Sequence, residues 1–126
     1  IKLKGLTPGL HGFHIHETGN LLDKCSSCKG HFNPYGKNHG GPNSKERHVG
    51  DLGNIKANSK GVVEQVIYDS KIKLRGTKSN IIGRSVVIHQ DEDNLGIPGD
   101  EESLKTGRAG PRIGCAVIGY ATPFYF

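Results

Sequence analysis

The sequence contains neither methionine nor tryptophan, and its only aromatic residues besides histidine are four phenylalanines and four tyrosines. No apolar run approaches the roughly 18 residues that a membrane-spanning helix needs. No basic segment followed by an apolar one opens the chain either. We therefore expect no membrane insertion. Because the chain starts at Ile1 without a methionine, inside a predicted strand, we expect its N-terminus to be incomplete, which leaves export open.

Hydrophobic residues are also few, at 33% of the chain, whereas glycine contributes 19 of the 126 residues. Glycine weakens helices and suits tight turns and bulges, so this composition favours a loop-rich β protein over a helical bundle. A second hydrophobic core would need more buried surface than a chain of this length supplies. We predict a single domain over residues 1–126.

Acidic residues are outnumbered by lysine and arginine, 12 to 17, which gives a formal net charge of +5. Such a balance fits attraction to nucleic acid, to an anionic membrane surface or to a small anionic substrate. A nucleic-acid groove is not expected, because the aromatic residues do not interleave with the basic ones as a stacking platform requires. The densest basic stretch, residues 71–75, alternates with apolar residues as a half-buried strand does.

Strand signals dominate the remaining sequence. The predicted strands are residues 1–6, 10–16, 62–68, 71–75, 84–90 and 115–121. Two stretches, 18–54 and 91–114, are rich in glycine, asparagine, aspartate and proline and are far longer than ordinary connections. Within the second, residues 101–105 predict a short helical turn. Loops of this length need something besides a core to hold them in place, and metal ligands would do that.

Six of the seven histidines lie between positions 11 and 48. In an extended segment, side chains alternate, so His14 and His16 share one face of the strand while His11 lies on the other. Two imidazoles about 7 Å apart along a strand can converge on one ion, and imidazole is a favoured ligand for Cu(II). His11 is expected to lie on the core face and to be hydrogen-bonded to the backbone.

The first long loop carries a second group of candidate ligands, His31, His39, His48 and Asp51. A tetrahedral zinc site takes three or four such nitrogen and oxygen ligands, and a shared ion would hold the loop together. A histidine considered alone is more often a half-buried, hydrogen-bonded residue than a ligand. The joint pattern, however, indicates metal binding.

Three cysteines, Cys25, Cys28 and Cys115, leave one unpaired if a disulfide forms. Cys25 and Cys28 make a single CxxC, which is weak evidence by itself. A redox CxxC opens a helix in a βαβ unit, and a zinc ribbon needs a second pair, and neither context is present.

Several blocks resemble the copper–zinc superoxide dismutases in order and spacing. They are GFHIHE (12–17), GHFNP (30–34), HGGP (39–42), RHVGDLGN (47–54), IGR (82–84), VIH (87–89) and the segment 101–119. The resemblance implies an all-β fold, a Greek-key sandwich or barrel with two long loops. The chain lacks what would be the first two strands of that fold. An uncovered apolar face and strand edge are therefore expected, to be covered by a missing segment or a partner.

The resemblance also implies two metal cofactors. Copper would be bound by His14, His16, His31 and His89, and zinc by His31, His39, His48 and Asp51. His31 would then be shared between the two ions as an imidazolate. Asp93 matches the carboxylate that links a copper ligand to a zinc ligand, which orients both imidazole rings.

Further positions take roles from the same resemblance. Arg112 matches the guanidinium beside the open copper position, and Thr106 matches the residue that narrows the substrate channel. Cys25 and Cys115 match the intrasubunit disulfide, which leaves Cys28 as a free thiol. The segment containing Glu101, Glu102 and Lys105 matches the part that shapes the electric field around the channel.

The implied activity is the dismutation of superoxide to oxygen and hydrogen peroxide, an antioxidant oxidoreductase reaction. Superoxide is an anion, so a cationic funnel ending at Arg112 would raise its local concentration. One superoxide would reduce copper and leave as oxygen while His31 takes a proton, and a second would leave as hydrogen peroxide. The resemblance also implies a homodimer, a copper chaperone as a partner and a cytoplasmic location, with an extracellular one left open. The aromatic tail, residues 122–126, is expected either to pack on an interface or to fray.

Two alternatives compete with this interpretation. One is a non-enzymatic relative, such as the dismutase-like domain of a copper chaperone or a copper-storage protein, but such domains tend to lose a copper ligand or the channel arginine. The other is a structural zinc protein that binds a partner through a basic face. That alternative explains the loop ligands but leaves His14, His16 and His89 without a role.

Overall fold

The computed structural model describes residues 1–122. Its strands are β1 (Lys2–Leu3), β2 (Gly9–His16), β3 (Leu22–Cys25), β4 (Asp51–Ala57), β5 (Val63–Glu64), β6 (Ser85–His89) and β7 (Arg112–Val117). A 3₁₀ helix covers Ser26–Cys28, and the α-helix α1 covers Glu101–Thr106. Apart from Thr122, the predicted aromatic tail lies outside the described residues. None of the described helices has the length and hydropathy needed to cross a bilayer.

Two antiparallel sheets organise the chain. One has the strand order β4-β2-β6-β7, and the other pairs β1 with β5. Strand β2 is central, with Phe13 opposite Ile88 of β6 and His11 opposite Ile55 of β4. This architecture confirms the predicted all-β fold class. The long segments between β3 and β4 and between β6 and β7 are the two predicted loops in shortened form.

The hydrophobic core lies on one face of β2. Phe13 and Ile15 are buried there together with Leu52, Ile55 and Val63. Because neighbouring side chains of a strand point to opposite faces, His14 and His16 are placed on the other side, where they are fully buried as well. The central strand thus carries the core on one face and the candidate metal ligands on the other.

The core is open along one edge. An apolar groove of about 340 Å³ is lined by residues that include Phe13, Ile15, Ile67, Ile81 and Ile118. It agrees with the expectation of an uncovered apolar face.

The predicted strands differ in how closely their bounds agree with the strands of the structure. Segments 10–16 and 84–90 are confirmed as β2 and β6, and segment 115–121 is shifted to Arg112–Val117. Segments 1–6 and 62–68 shorten to β1 and β5, which pair only with each other within the described residues. Strands β3 and β4 begin inside the predicted loop 18–54. The many glycines and asparagines around Asp51–Ala57 hide the alternation of buried residues in β4.

The prediction of a strand at residues 71–75 is wrong. Of these residues, the structure gives a bridge only to Lys73, which pairs with Asn80. The Lys73 N–H donates to Ser79 O and the Lys73 carbonyl accepts from Ile81 N–H, which makes a single parallel bridge across a short loop. Alternation alone cannot make a strand where no neighbouring strand continues the ladder.

The predicted helical turn at 101–105 is confirmed as α1. Asp100 caps it by accepting a hydrogen bond from the Ser103 N–H at 2.8 Å. Gly107 ends it in the left-handed conformation, with a φ of 70°. A Cβ atom at Gly107 would overlap the Asp93 carboxylate and the His39 ring. The end of α1 therefore packs directly against the candidate ligands.

Candidate metal centre

The first ligand group comes from two strands and a loop. His14 and His16 project from β2, His89 from β6 and His31 from the first long loop, and one donor nitrogen from each lies within 4.8 Å of the others. His31 is held beside β2 by a bridge to His16. These are the four residues that the resemblance assigned to copper.

Backbone carbonyls orient two of these rings. His16 Nδ1 donates to Lys29 O at 2.7 Å, and His89 Nδ1 donates to Gly110 O at 2.9 Å. The Nε2 atoms of His16 and His89 consequently face each other at 3.3 Å. Two nitrogen lone pairs directed at one point form a donor set for a cation.

The second ligand group surrounds one carboxylate oxygen. Asp51 Oδ1 lies 3.0 Å from His31 Nδ1, 3.0 Å from His39 Nδ1 and 3.1 Å from His48 Nδ1. The other oxygen, Oδ2, accepts the backbone N–H groups of Gly40 and His48. Three imidazoles and one carboxylate are a set that suits tetrahedral zinc.

His31 belongs to both groups. Its Nδ1 faces Asp51 and His48, while its ring centroid is 4.1 Å from that of His14 and 4.9 Å from that of His16. Since Nδ1 is directed into the second group, Nε2 is the ring nitrogen left for the first. The ring therefore lies between two adjoining sites.

Asp93 connects the two groups from behind. Its Oδ2 accepts from His14 Nε2 at 2.7 Å, and its Oδ1 accepts from His39 Nε2 at 2.8 Å. In the neutral form of each ring, these bonds fix the tautomer with the proton on Nε2 and the lone pair on Nδ1. The Asp93 carboxylate also accepts the Leu95 N–H at Oδ1, and the Asn54 amide pairs with the Asp93 backbone N–H and carbonyl.

Ring nitrogens without a hydrogen-bond partner show whether the two ligand groups can hold metal ions. Among the described residues, His14 Nδ1 and His39 Nδ1 are buried side-chain atoms without a hydrogen-bond partner. His39 Nδ1 is 3.0 Å from Asp51 Oδ1 but is not oriented to donate to it. Leaving a buried polar atom unsatisfied costs about 1–3 kcal/mol, whereas an unprotonated imidazole nitrogen can bind a metal ion. The residues fit two ions, one in each group.

Burial makes the first group neutral. It lowers the pKa of His14, that of His16 to about 2, that of His31 to about 3 and that of His89 to about 4. Each ring is therefore neutral at pH 7, with a proton on one nitrogen and a lone pair on the other. Metal ligands must be in that state.

The acidic residues stay ionised within the cluster. Burial disfavours the Asp51 carboxylate, but hydrogen bonds from His31 and His48 and the close approach of His39 hold its pKa well below the usual range. Burial likewise opposes ionisation of Asp93, yet hydrogen bonds from His14 and His39 lower its pKa to about 2. For His39, burial lowers the pKa, but Asp51 and Asp93 outweigh burial and raise it to about 9. These two carboxylates supply the negative charge that a cation would offset.

Arg112 lies beside the first group. Its charge contributes to lowering the pKa of both His16 and His89, and its Nη1 donates to Cys25 O at 2.7 Å. Half-buried at the start of β7, it is close enough to act on an anion at this group. Thr106 lies at the end of α1, where its hydroxyl donates to Glu102 Oε1 at 2.7 Å. It contacts neither ligand group by hydrogen bonding.

His11 has the structural role predicted for it. Its ring nitrogens lie 2.9 Å from His89 O and 2.7 Å from Thr7 O, and it belongs to neither ligand group. The expected backbone hydrogen bonding is confirmed.

Sequence reasoning gave no role to Arg47, although it lies in a quoted block. This buried arginine donates to the carbonyls of Pro42, His48 and Val49 and forms an ion pair with Asp69 at 2.7 Å. It therefore holds the loop segment that carries His48. An arginine directly before a predicted ligand was the available signal, but neither its burial nor its long-range partner could be identified from the sequence.

A disulfide joins Cys25 to Cys115, 90 residues apart, and Cys28 is a buried free thiol. The bond ties β3 to β7 and adjoins the Cys25 carbonyl that Arg112 contacts. A crosslink closing a loop of this length contributes about 4–5 kcal/mol in the chain-entropy model.

We expect the double variant Cys25→Ser/Cys28→Ala to lose about 4 kcal/mol of unfolding free energy relative to Cys28→Ala alone. The shared Cys28→Ala background prevents Cys28 from pairing with the released Cys115. Urea unfolding without reductant measures the difference. Equal stability of the two proteins would contradict this estimate.

Asp93→Asn is expected to weaken metal binding by about 10- to 100-fold, because the amide cannot accept from both His14 and His39. Competition with a chelator, followed by metal analysis, measures the affinity. Asp91→Asn, which changes an exposed carboxylate nearby, is the matched control. If both variants bound metal equally, the bridging role of Asp93 would be refuted.

The fold and site define a class: an antiparallel β protein in which loops and strands assemble two adjoining sites for metal ions. The sequence profile of the copper/zinc superoxide dismutases matches residues 1–118. The chain belongs to this family.

Similar proteins agree with that assignment. The chain is 62% identical over 96% of its length to Cu-Zn superoxide dismutase of Paramecium bursaria Chlorella virus 1, and 56% identical over 93% to that of Yarrowia lipolytica. It is 54% identical over 94% of its length to the extracellular Cu-Zn superoxide dismutase of Onchocerca volvulus. It spans 65%, 76% and 60% of these relatives, respectively.

Proposed function

We propose that the protein catalyses the dismutation of superoxide to oxygen and hydrogen peroxide. The observation that carries the proposal is the position of His31 between two buried donor groups whose remaining nitrogens lack partners. Copper is assigned to His14, His16, His31 and His89, and zinc to His31, His39, His48 and Asp51. Copper when bound supplies one-electron redox chemistry, and zinc supplies a fixed charge that orders the loop.

The chain's own residues then have distinct roles. The Arg112 guanidinium attracts the superoxide anion to the first group and orients it. His31 Nε2 takes up a proton and returns it to the reduced substrate, while Nδ1 stays engaged with the Asp51 side of the site. Asp93 and the Cys25–Cys115 disulfide keep these groups in position, and Thr106 is assigned to the channel wall. Two superoxide ions and two protons yield one oxygen and one hydrogen peroxide.

Superoxide turnover by protein loaded with both metals tests the proposal. Rapid turnover with one copper and one zinc per chain supports it. Stoichiometric copper without turnover favours the chaperone-like alternative, and binding of zinc alone favours the structural one.

The rate of turnover is expected to fall as ionic strength rises, because salt screens attraction between the anionic substrate and a cationic approach to Arg112. Measuring kcat/KM from low to about 0.5 M salt checks this. A rate that does not change with salt would remove electrostatic steering from the mechanism.

The assembly and location of the protein are further proposals. We infer a single domain over residues 1–126, a homodimer, copper delivery by a chaperone and a cytoplasmic location. These rest on family membership; the name of the Onchocerca volvulus relative shows that the family also includes an extracellular protein. Analytical ultracentrifugation of the metal-loaded protein tests the dimer.

A further inference from the structure

A second, strongly basic cavity lies next to the loop that carries His48. It has a volume of about 270 Å³. It lies between residues 35–49 of the first long loop, called the metal loop from here on, and the segment around residues 70–79. The metal loop contributes Lys37 and Lys45 to its wall, and the other segment contributes Lys71 and Lys73. The four lysines come from sequence positions up to 36 residues apart, so the fold brings them together.

Two acids close to these lysines in sequence are engaged elsewhere. In the first of them, Glu46, the Oε2 atom accepts the backbone N–H of Asn38. Within residues 1–122, none of these lysines forms an ion pair. The nearby acid Asp69 is occupied, because its Oδ1 pairs with Arg47 and its Oδ2 accepts the backbone N–H groups of Lys71 and Ile72. Like charges around one cavity repel each other. A bound anion would relieve that repulsion.

The alternation of basic and apolar side chains in residues 71–73 explains why two of the lysines face the cavity. Ile72 is partly buried against the hydrophobic core, so Lys71 and Lys73 project to the opposite, solvent-facing side. These residues belong to the basic stretch that was predicted to be a strand. The proposed dismutation gives these lysines no role. The isoleucine anchors both lysines at the rim of the cavity.

Hydroxyl groups complete the polar lining. Ser70, Ser79 and Tyr35 contribute to the wall, with Tyr35 Oη 3.3 Å from Ser79 Oγ. Lys78 places a fifth ammonium 4.5 Å from the centroid of the Tyr35 ring. Ammonium and hydroxyl groups are donors that suit phosphate oxygens. The volume is below the roughly 300–1,000 Å³ of drug-sized ligand pockets, which favours a compact anion.

We propose that the cavity formed by Lys37, Lys45, Lys71 and Lys73 binds an oligophosphate, either free or as the phosphate chain of a nucleoside triphosphate. Several linked phosphates carry more negative charge and reach further than a single phosphate, so they suit four cations that lie around a cavity. The ligand would bridge the metal loop and the segment around residues 70–79. Because ligand binding to the folded state stabilises it, the melting temperature rises with ligand concentration.

The test uses the metal-loaded full chain and inorganic tripolyphosphate, with affinity measured by calorimetry at low ionic strength. Lys71→Ser/Lys73→Ser is expected to weaken binding by about tenfold or more, since two charge contacts are removed. The control Lys56→Ser/Lys60→Ser removes the same charge from exposed positions outside the cavity. It is expected to bind like the unaltered protein.

Metal analysis after each titration separates ligand binding from chelation, because chelation would strip the variants and the unaltered protein alike. Equal weakening in both double variants, or no saturable binding by the unaltered protein, would overturn the proposal. A nucleoside triphosphate titrated in parallel distinguishes the sources. Affinity equal to that of tripolyphosphate supports recognition of the phosphate chain alone, and tighter binding supports an added contact from the nucleoside. Because these measurements read binding, they remain informative even if dismutation fails.

Discussion

In the His31→Ala variant, both metal ions are expected to bind far more weakly, whereas His39→Ala is expected to lose zinc first and retain copper. The reason is the position of the His31 ring, which takes part in both donor groups, while His39 takes part in the second group and is hydrogen-bonded to Asp93. Removing one of four ligands from each of two sites leaves three donors and an opening for water at both.

Metal content per chain after dialysis against a weak chelator measures this difference, and the visible spectrum of bound copper provides an independent readout. His11→Ala is the control for removing a buried imidazole, because His11 belongs to neither ligand group and meets His89 only at its backbone carbonyl. Full copper occupancy with unchanged spectrum in His31→Ala would show that the two sites do not share this ring.

Charge reversal in Arg112→Glu is expected to lower kcat/KM for superoxide by about 100-fold at low ionic strength. Electrostatic steering raises association rates by about 10- to 1,000-fold, and the reversal replaces attraction with repulsion beside His16 and His89. Arg112→Gln, which only removes the charge, is expected to lose about tenfold. Both losses should shrink at high salt, because screening weakens the charge effect.

Arg108→Glu is the matched control. Arg108 is exposed, pairs with Asp100 and belongs to neither ligand group, so the same charge change is made outside the donor set. Copper content must be measured in each variant, since Arg112 also donates to Cys25 O. An Arg108 variant as slow as the Arg112 variant would show that the effect comes from net charge alone.

The central part of the site could be predicted because it depends on local geometry. The alternation of a single strand, β2, separates His14 and His16 from the core residues Phe13 and Ile15, and this needs no knowledge of the tertiary fold. The role of His11 followed from the same alternation. The assignment of ligands to two particular metals, in contrast, came from the family resemblance.

Other features depend on contacts between distant segments and were missed. Asn54 holds the Asp93 backbone across 39 residues, and Arg47 reaches Asp69 across 22. Neither pairing leaves a periodic signal in the sequence. At residues 71–75 the sequence predicted a strand that does not form. Their alternation is genuine, but no continuous strand lies beside them. A strand pattern predicts which side chains are buried, but hydrogen-bonded pairing depends on neighbours elsewhere in the chain.

The Asp93 bridge has a thermodynamic consequence for the order of assembly. One carboxylate receives a ring from β2 and a ring from the first long loop, while its own backbone belongs to the second. Each loop therefore supplies one half of this junction, and ordering of one loop favours ordering of the other. Occupying one site with an ion lowers the entropy that remains to be lost on filling the other, so uptake of the two ions is linked even without direct contact between them.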